Sequence, residues 1–107
     1  MRYNFYFSRL AEKKLLQLFD YLIHEWSVKV KDNFRQTLDE KLDQISIYPD
    51  SCIKSKQFFN LYLCIVTKQT SFLYRVINDD IEVITVFDNR SSFKSITKEI
   101  RKFYGKL

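Results

Sequence analysis

An α+β fold is what this sequence predicts, and three observations carry the prediction. Residues 3–7, "YNFYF", alternate with the two-residue period of a strand. Residues 8–48 change to a period of about 3.6, the signature of amphipathic helix. Residues 60–88 return to short runs rich in Val, Ile, Tyr, Phe and Thr. The predicted order is an N-terminal strand, a two-helix hairpin, a three-stranded antiparallel meander and a short C-terminal helix. The two long helices cover one face of a mainly antiparallel sheet. The other face is either covered by the last helix or left as a working surface.

In the first strand Tyr3, Phe5 and Phe7 share a face. Ser8 reads as a helix cap, because its hydroxyl can accept from a backbone N–H one turn on. Leu10, Ala11, Leu15, Leu18, Phe19, Leu22 and Trp26 then form one apolar stripe over about five turns. Ser27 reads as a second cap, and Val30, Phe34, Leu38, Leu42 and Ile45 continue the pattern. Pro49 ends this helix near Tyr48, since the residue before proline is disfavoured in helical backbone. Residues 50–57, "DSCIKSKQ", are polar and read as a loop. The runs 60–67, 70–77 and 81–88 follow, joined by "KQ" and "NDD", connections short enough for hairpins. Phe93, Ile96, Ile100, Phe103 and Tyr104 recur at helical spacing within 92–104.

The chain of 107 residues is the size of a single domain, 1–107. One glycine and one proline leave no room for a glycine-built phosphate loop. Cys52, Cys64 and the lone His24 make no zinc spacing, so no metal and no cofactor are expected, and the cysteines read as reduced thiols. The opening "MRYNFYFSRL" alternates rather than forming the apolar core of a signal peptide. No run approaches the about 18 apolar residues of a membrane span. A cytoplasmic protein without a membrane partner is the expectation.

Charge is distributed unevenly. Residues 1–89 hold twelve Lys/Arg and twelve Asp/Glu, so the net +5 lies wholly in residues 90–107. Arg90, Lys94, Lys98, Arg101, Lys102 and Lys106 face only Glu99 there. Such a segment attracts nucleic acid or an acidic protein.

The order of elements, with "YLIHEW" closing the first helix, "ISIYP" closing the second and "FLYRVINDDIEVITVFDNR" leading through the last hairpin to Arg90, resembles the RelE/ParE superfamily of type II toxin–antitoxin toxins. The resemblance covers nearly the whole chain and implies a toxin held inactive by a cognate antitoxin. RelE-like members cleave mRNA at the ribosome, whereas ParE-like members poison DNA gyrase. RelE-like cleavage draws on lysines and an arginine of the middle strands, an arginine after the last strand and a tyrosine beyond it. Aligned on Tyr74 and Arg90, those positions hold Tyr62, Cys64, Ser71, Arg90 and Ile96, so only Arg90 carries over. Uncharged side chains cannot stabilise a phosphorane as lysine and arginine do. The ParE-like, non-catalytic reading is therefore preferred. Arg90, Lys94, Lys98, Arg101 and Lys102 are the expected target or antitoxin contacts, and Arg90 is the best catalytic candidate if the chain is a nuclease. Against this stands a plainer reading of Arg90, in which it only pairs with Asp88. A non-toxic nucleic-acid or protein interaction module is the further alternative.

Overall fold

The computed structural model describes residues 2–105. The chain folds as β1 (Asn4–Phe7), α1 (Arg9–Glu25), α2 (Val28–Ile47), β2 (Ile53–Ser55), β3 (Leu61–Ile65), β4 (Thr70–Ile77), β5 (Asp80–Asp88) and α3 (Phe93–Tyr104). The five strands form one sheet in the order β1-β5-β4-β3-β2. All neighbours are antiparallel except β1 and β5, which run parallel.

Each helix starts at a serine in extended backbone. Ser8 accepts from the Ala11 N–H, Ser27 from Val30 and Ser92 from Ser95, at 3.0–3.1 Å. Each such bond satisfies one of the backbone donors that a helix start leaves free, and losing one costs about 1 kcal/mol. Gly105, with φ +69°, ends α3 in a backbone conformation that side chains rarely adopt. Asn78 does the same work in the β4–β5 hairpin at φ +55°.

The last strand in sequence lies inside the sheet, so its two faces meet two separate cores. On one face, Phe34, Leu38, Leu42 and Ile45 of α2 with Ala11 of α1 pack on Phe72, Tyr74, Ile81, Val83 and Val86. On the other, Ile96 and Ile100 of α3 pack with Phe58 on Leu73, Ile84 and Phe87. Residues 81–87 of β5 are consequently all buried. A strand covered on both faces reads as a continuous apolar run rather than an alternating one.

A bulge interrupts the β4–β5 ladder. Val83 pairs with Tyr74 and Thr85 with Leu73, which leaves Ile84 as an extra residue on β5. Ser8 docks there, its N–H donating to the Val83 carbonyl at 3.0 Å and its hydroxyl to the Ile84 carbonyl at 2.6 Å. The cap of α1 is thus also its anchor on the sheet.

Two sequence expectations are corrected. Residues 50–57 are not wholly loop, because Ile53–Ser55 pairs with β3 as the outer strand. Three residues are too few to display alternation, and Ile53, 79% exposed, faces solvent at the edge. Trp26 does not belong to the buried stripe. It caps α1 after the helix has ended, outside helical backbone, and is 69% exposed.

Candidate functional site

A hollow of about 1010 Å³ opens where the α1–α2 junction overhangs the ends of β4 and β5. Its floor is apolar, with Leu18, Leu22, Phe34 and Val86. Tyr21 and Trp26, both exposed, stand along it, and Lys14, Lys68 and Arg90 supply cations at its border. The groove follows from sequence in a simple way. The junction holds only Trp26 and Ser27, so the helices diverge from a tight corner and leave their aromatic ends uncovered. The misplaced Trp26 is the residue that sequence reasoning missed here. Its position beside the Ser27 cap was the available signal, because a residue preceding a cap sits outside regular helix.

Arg90 is 84% exposed and engages Asp88 through both ends of its fork. Its Nε lies 3.1 Å from Oδ1 and its Nη2 2.9 Å from Oδ2, while its own N–H donates to Oδ1 at 2.8 Å. The Arg90 side chain, and then its N–H, hold the Asp88 carboxyl below the usual carboxylate range. The same contact raises Arg90 further. This pairing is the plain structural role that the sequence allowed, and it fixes the guanidinium at the groove's border. An exposed pair of this kind adds little to stability. Its worth is geometric, since a planar fork already aligned on one carboxylate can present its remaining N–H groups to a second.

The other basic residues lie elsewhere. Lys94, Lys98, Arg101 and Lys102 are exposed on α3, on the side opposite the buried Ile96 and Ile100. Arg101 stacks over the Phe59 ring at 5.4 Å. Glu99 is drawn to Lys14 of α1, 3.1 Å away. The one acidic side chain of α3 therefore turns toward α1. The sequence presented these cations and Arg90 as a single segment, and the structure divides them between the groove and the far side of the sheet. The reason is the turn at Asn89–Ser92, which carries the chain around the sheet's end. Asn89 secures that turn, accepting from the Ser71 hydroxyl at 2.6 Å and donating to the Lys68 carbonyl at 2.9 Å. Lys106 lies outside the described residues.

The positions inferred from RelE-like nucleases do not converge. Tyr62 and Cys64 point into the helix-covered face, where Tyr62 stacks on Tyr74 with ring centroids 5.0 Å apart. Ser71 lies on the opposite face, bound to Asn89, and Ile96 is buried in the second core. A register shift would not supply the missing cations, because the residues of β3 on the Ser71 side are Leu61, Leu63 and Ile65. The shallow hollow of about 440 Å³ there is bounded by Leu63, Ile65, Phe87 and Phe93, with no charged residue among its described lining. His24 is exposed, and its Nδ1 lies 2.7 Å from the Asp20 carbonyl of its own helix, a local contact.

One polar cluster escaped the sequence reading. Arg75 Nε pairs with Glu82 Oε1, 2.6 Å apart, and the Tyr104 hydroxyl donates to Glu82 Oε2 at 2.9 Å. Glu82 is buried within the apolar run of β5 and needs both partners. Counting back from the Asn78–Asp79 turn would have set Arg75 opposite Glu82, as the ladder does. The cluster ties the end of α3 to the sheet.

Comparison with known proteins agrees with this architecture. No curated protein sequence matches the chain significantly. A chain of the chromosomal ParDE toxin–antitoxin system from P. aeruginosa is similar in structure, with a TM-score of 0.68 at 11% identity over 81% of this chain and 96% of that one. A conserved hypothetical protein from Helicobacter pylori is also similar, with a TM-score of 0.53 at 16% identity over 81% and 94%. At such identities the likeness speaks for the fold. The family model of the ParE toxin of type II toxin–antitoxin systems matches residues 5–93, from the first strand to the start of α3. With that span of sequence matched and the same fold around it, the chain belongs to the ParE toxin family.

Proposed function

We propose that this protein is a cytoplasmic toxin that slows growth by binding a target of the DNA gyrase class, and that a cognate antitoxin neutralises it. The observation that carries the antitoxin part is the groove at the α1–α2 junction. An apolar floor with aromatic sides and a cationic border fits an amphipathic, acidic peptide segment, whose apolar side chains would cover Leu18, Leu22 and Phe34. Arg90, held by Asp88, offers its free N–H groups to a carboxylate of that segment or of the target. Lys94, Lys98, Arg101 and Lys102 form a second, basic surface that draws in an acidic partner or DNA at longer range.

Binding rather than cleavage is favoured by the sheet itself. The side of β3 that faces Ser71 carries Leu61, Leu63 and Ile65, side chains that do nothing for a phosphorane. The test is regulated expression in a bacterial host, with and without the antitoxin, reading growth, mRNA integrity and DNA supercoiling separately. Arrested growth with disturbed supercoiling and intact mRNA is the expected result, with growth restored by the antitoxin. Arg90→Ala should lose more toxicity than antitoxin affinity. Neutralising the four α3 cations should weaken binding and flatten its salt dependence. Direct mRNA cleavage would move the chain to the nuclease class, and unimpaired growth with folded protein would remove the toxin reading.

A further inference from the structure

The two cysteines, distant in sequence, meet at the sheet's outer edge. β2 and β3 pair as Ile53↔Leu63, Lys54↔Tyr62 and Ser55↔Leu61. One step further in that register sets Cys52 opposite Cys64. Both are free, and both face the helix-covered core, where Cys64 is buried and the half-buried Cys52 packs against the same cluster. Opposed residues of an antiparallel pair have Cα atoms about 4.5–5.5 Å apart, within the about 4.4–6.8 Å that a disulfide spans. We infer that Cys52 and Cys64 are a peroxide-responsive dithiol, which closes an intramolecular disulfide and fastens β2 to β3.

The surroundings divide the two roles. The neighbouring Cys64 thiol, and more weakly Tyr74, Ser51 and Lys41, hold Cys52 below the ordinary thiol range. Cys64 is pushed up by the same contact and by burial. Cys52, partly open to solvent and readier to ionise, is the attacking thiolate. Its sulfur breaks the O–O bond of hydrogen peroxide, becoming a sulfenic acid as one oxygen leaves as water. The Cys64 sulfur then attacks the sulfenic sulfur, and the expelled hydroxide takes the Cys64 proton and leaves as a second water. Two electrons pass from the pair of thiols to peroxide. Thiol reductants reverse the step by exchange.

The bridge would tie the α2–β3 connection to the sheet and reduce the freedom of the unfolded chain. The test treats the purified protein with hydrogen peroxide, then alkylates it under denaturing conditions and reads intact mass, peptide linkage and melting temperature. The expected product is a monomer lighter by two hydrogens, with neither thiol alkylated and peptides around Cys52 and Cys64 linked. Its melting temperature should rise by about 5 °C or more, and dithiothreitol should reverse the change. Cys52→Ser, at the more exposed position, should show no peroxide-dependent rise. Both thiols still alkylated, oxygen added to either cysteine as the end product, a disulfide-linked dimer, or the same rise in Cys52→Ser would each overturn the inference.

Discussion

The two faces of the sheet are covered to different depths. On the hairpin side, α2 alone buries Phe34, Leu38, Leu42, Ile45 and Ser46, and α1 adds a row of half-buried Leu and Phe side chains. On the far side, α3 buries Ile96, Thr97 and Ile100, then relies on polar attachments at Glu82 and Lys14. Apolar burial is worth about 25 cal/mol per Å², so the thicker layer carries more of the stability. The thinner layer also holds Thr97, whose buried hydroxyl has no hydrogen-bond partner among the described residues. The contrast teaches where change is tolerated. The expectation is that the hairpin face holds the fold together and that the α3 face can be loosened without dissolving the rest.

The largest effect expected is from Leu38→Asp. Leu38 is 2% exposed in the middle of α2, and an unpaired carboxylate there costs several kcal/mol against a domain stability of about 5–15 kcal/mol. Thermal scans should show no cooperative transition. A melting curve like the parent's would mean that the hairpin face is not the support described. Ile100→Ala tests the other face, with a cost toward the lower end of about 2–5 kcal/mol. Hydrogen exchange should show α3 opening while α2 stays protected. Equal loss of protection in both would erase the difference between the faces.

Smaller effects sharpen the picture of how α3 is held. Burial first, and the Glu82 carboxylate as well, push the Tyr104 phenol up to about 12. An unfolded tyrosine titrates near about 10, so the folded state keeps the proton longer. The contribution is complete below about pH 10 and is lost as pH rises toward about 12. Stability measured across that range should fall less steeply in Tyr104→Phe than in the parent. Thr97→Val is the smallest change, removing the unpartnered hydroxyl at nearly constant shape. A gain of up to about 1 kcal/mol in denaturant melts is expected, and a loss would mean that the hydroxyl is satisfied.

Much of this was legible in the sequence. The Ser8 and Ser27 caps, the stop at Pro49, the Phe34–Ile45 stripe and the meander all come from local rules, and local rules sufficed. The cover of the second face could be stated only as an alternative, because the spacing of Ile96 and Ile100 gives an apolar helix face but not its destination. β2 was hidden because three residues carry no period. The bulge at Ile84 left no trace, since an extra residue in a run buried on both sides is still apolar. At the candidate site, Arg90 was found and its Asp88 partner foreseen. Its separation from the α3 cations depends on a turn fixed by Asn89 through side-chain bonds, which charge counting does not register.

The docking of Ser8 at the bulge has a consequence for the order of synthesis. Ser8 and Ile84 are 76 residues apart, and among the described residues β1 has no strand neighbour other than β5. At about 5–20 residues per second, the ribosome takes roughly 4–15 s to travel between them. For that interval the N-terminal strand has only the helical hairpin to rest on, through the Tyr3 N–H donating to the Ser46 carbonyl at 2.7 Å. A nascent chain therefore completes its sheet only once β5 has been made, and the groove, with Arg90 at its border, assembles long after the two helices that overhang it.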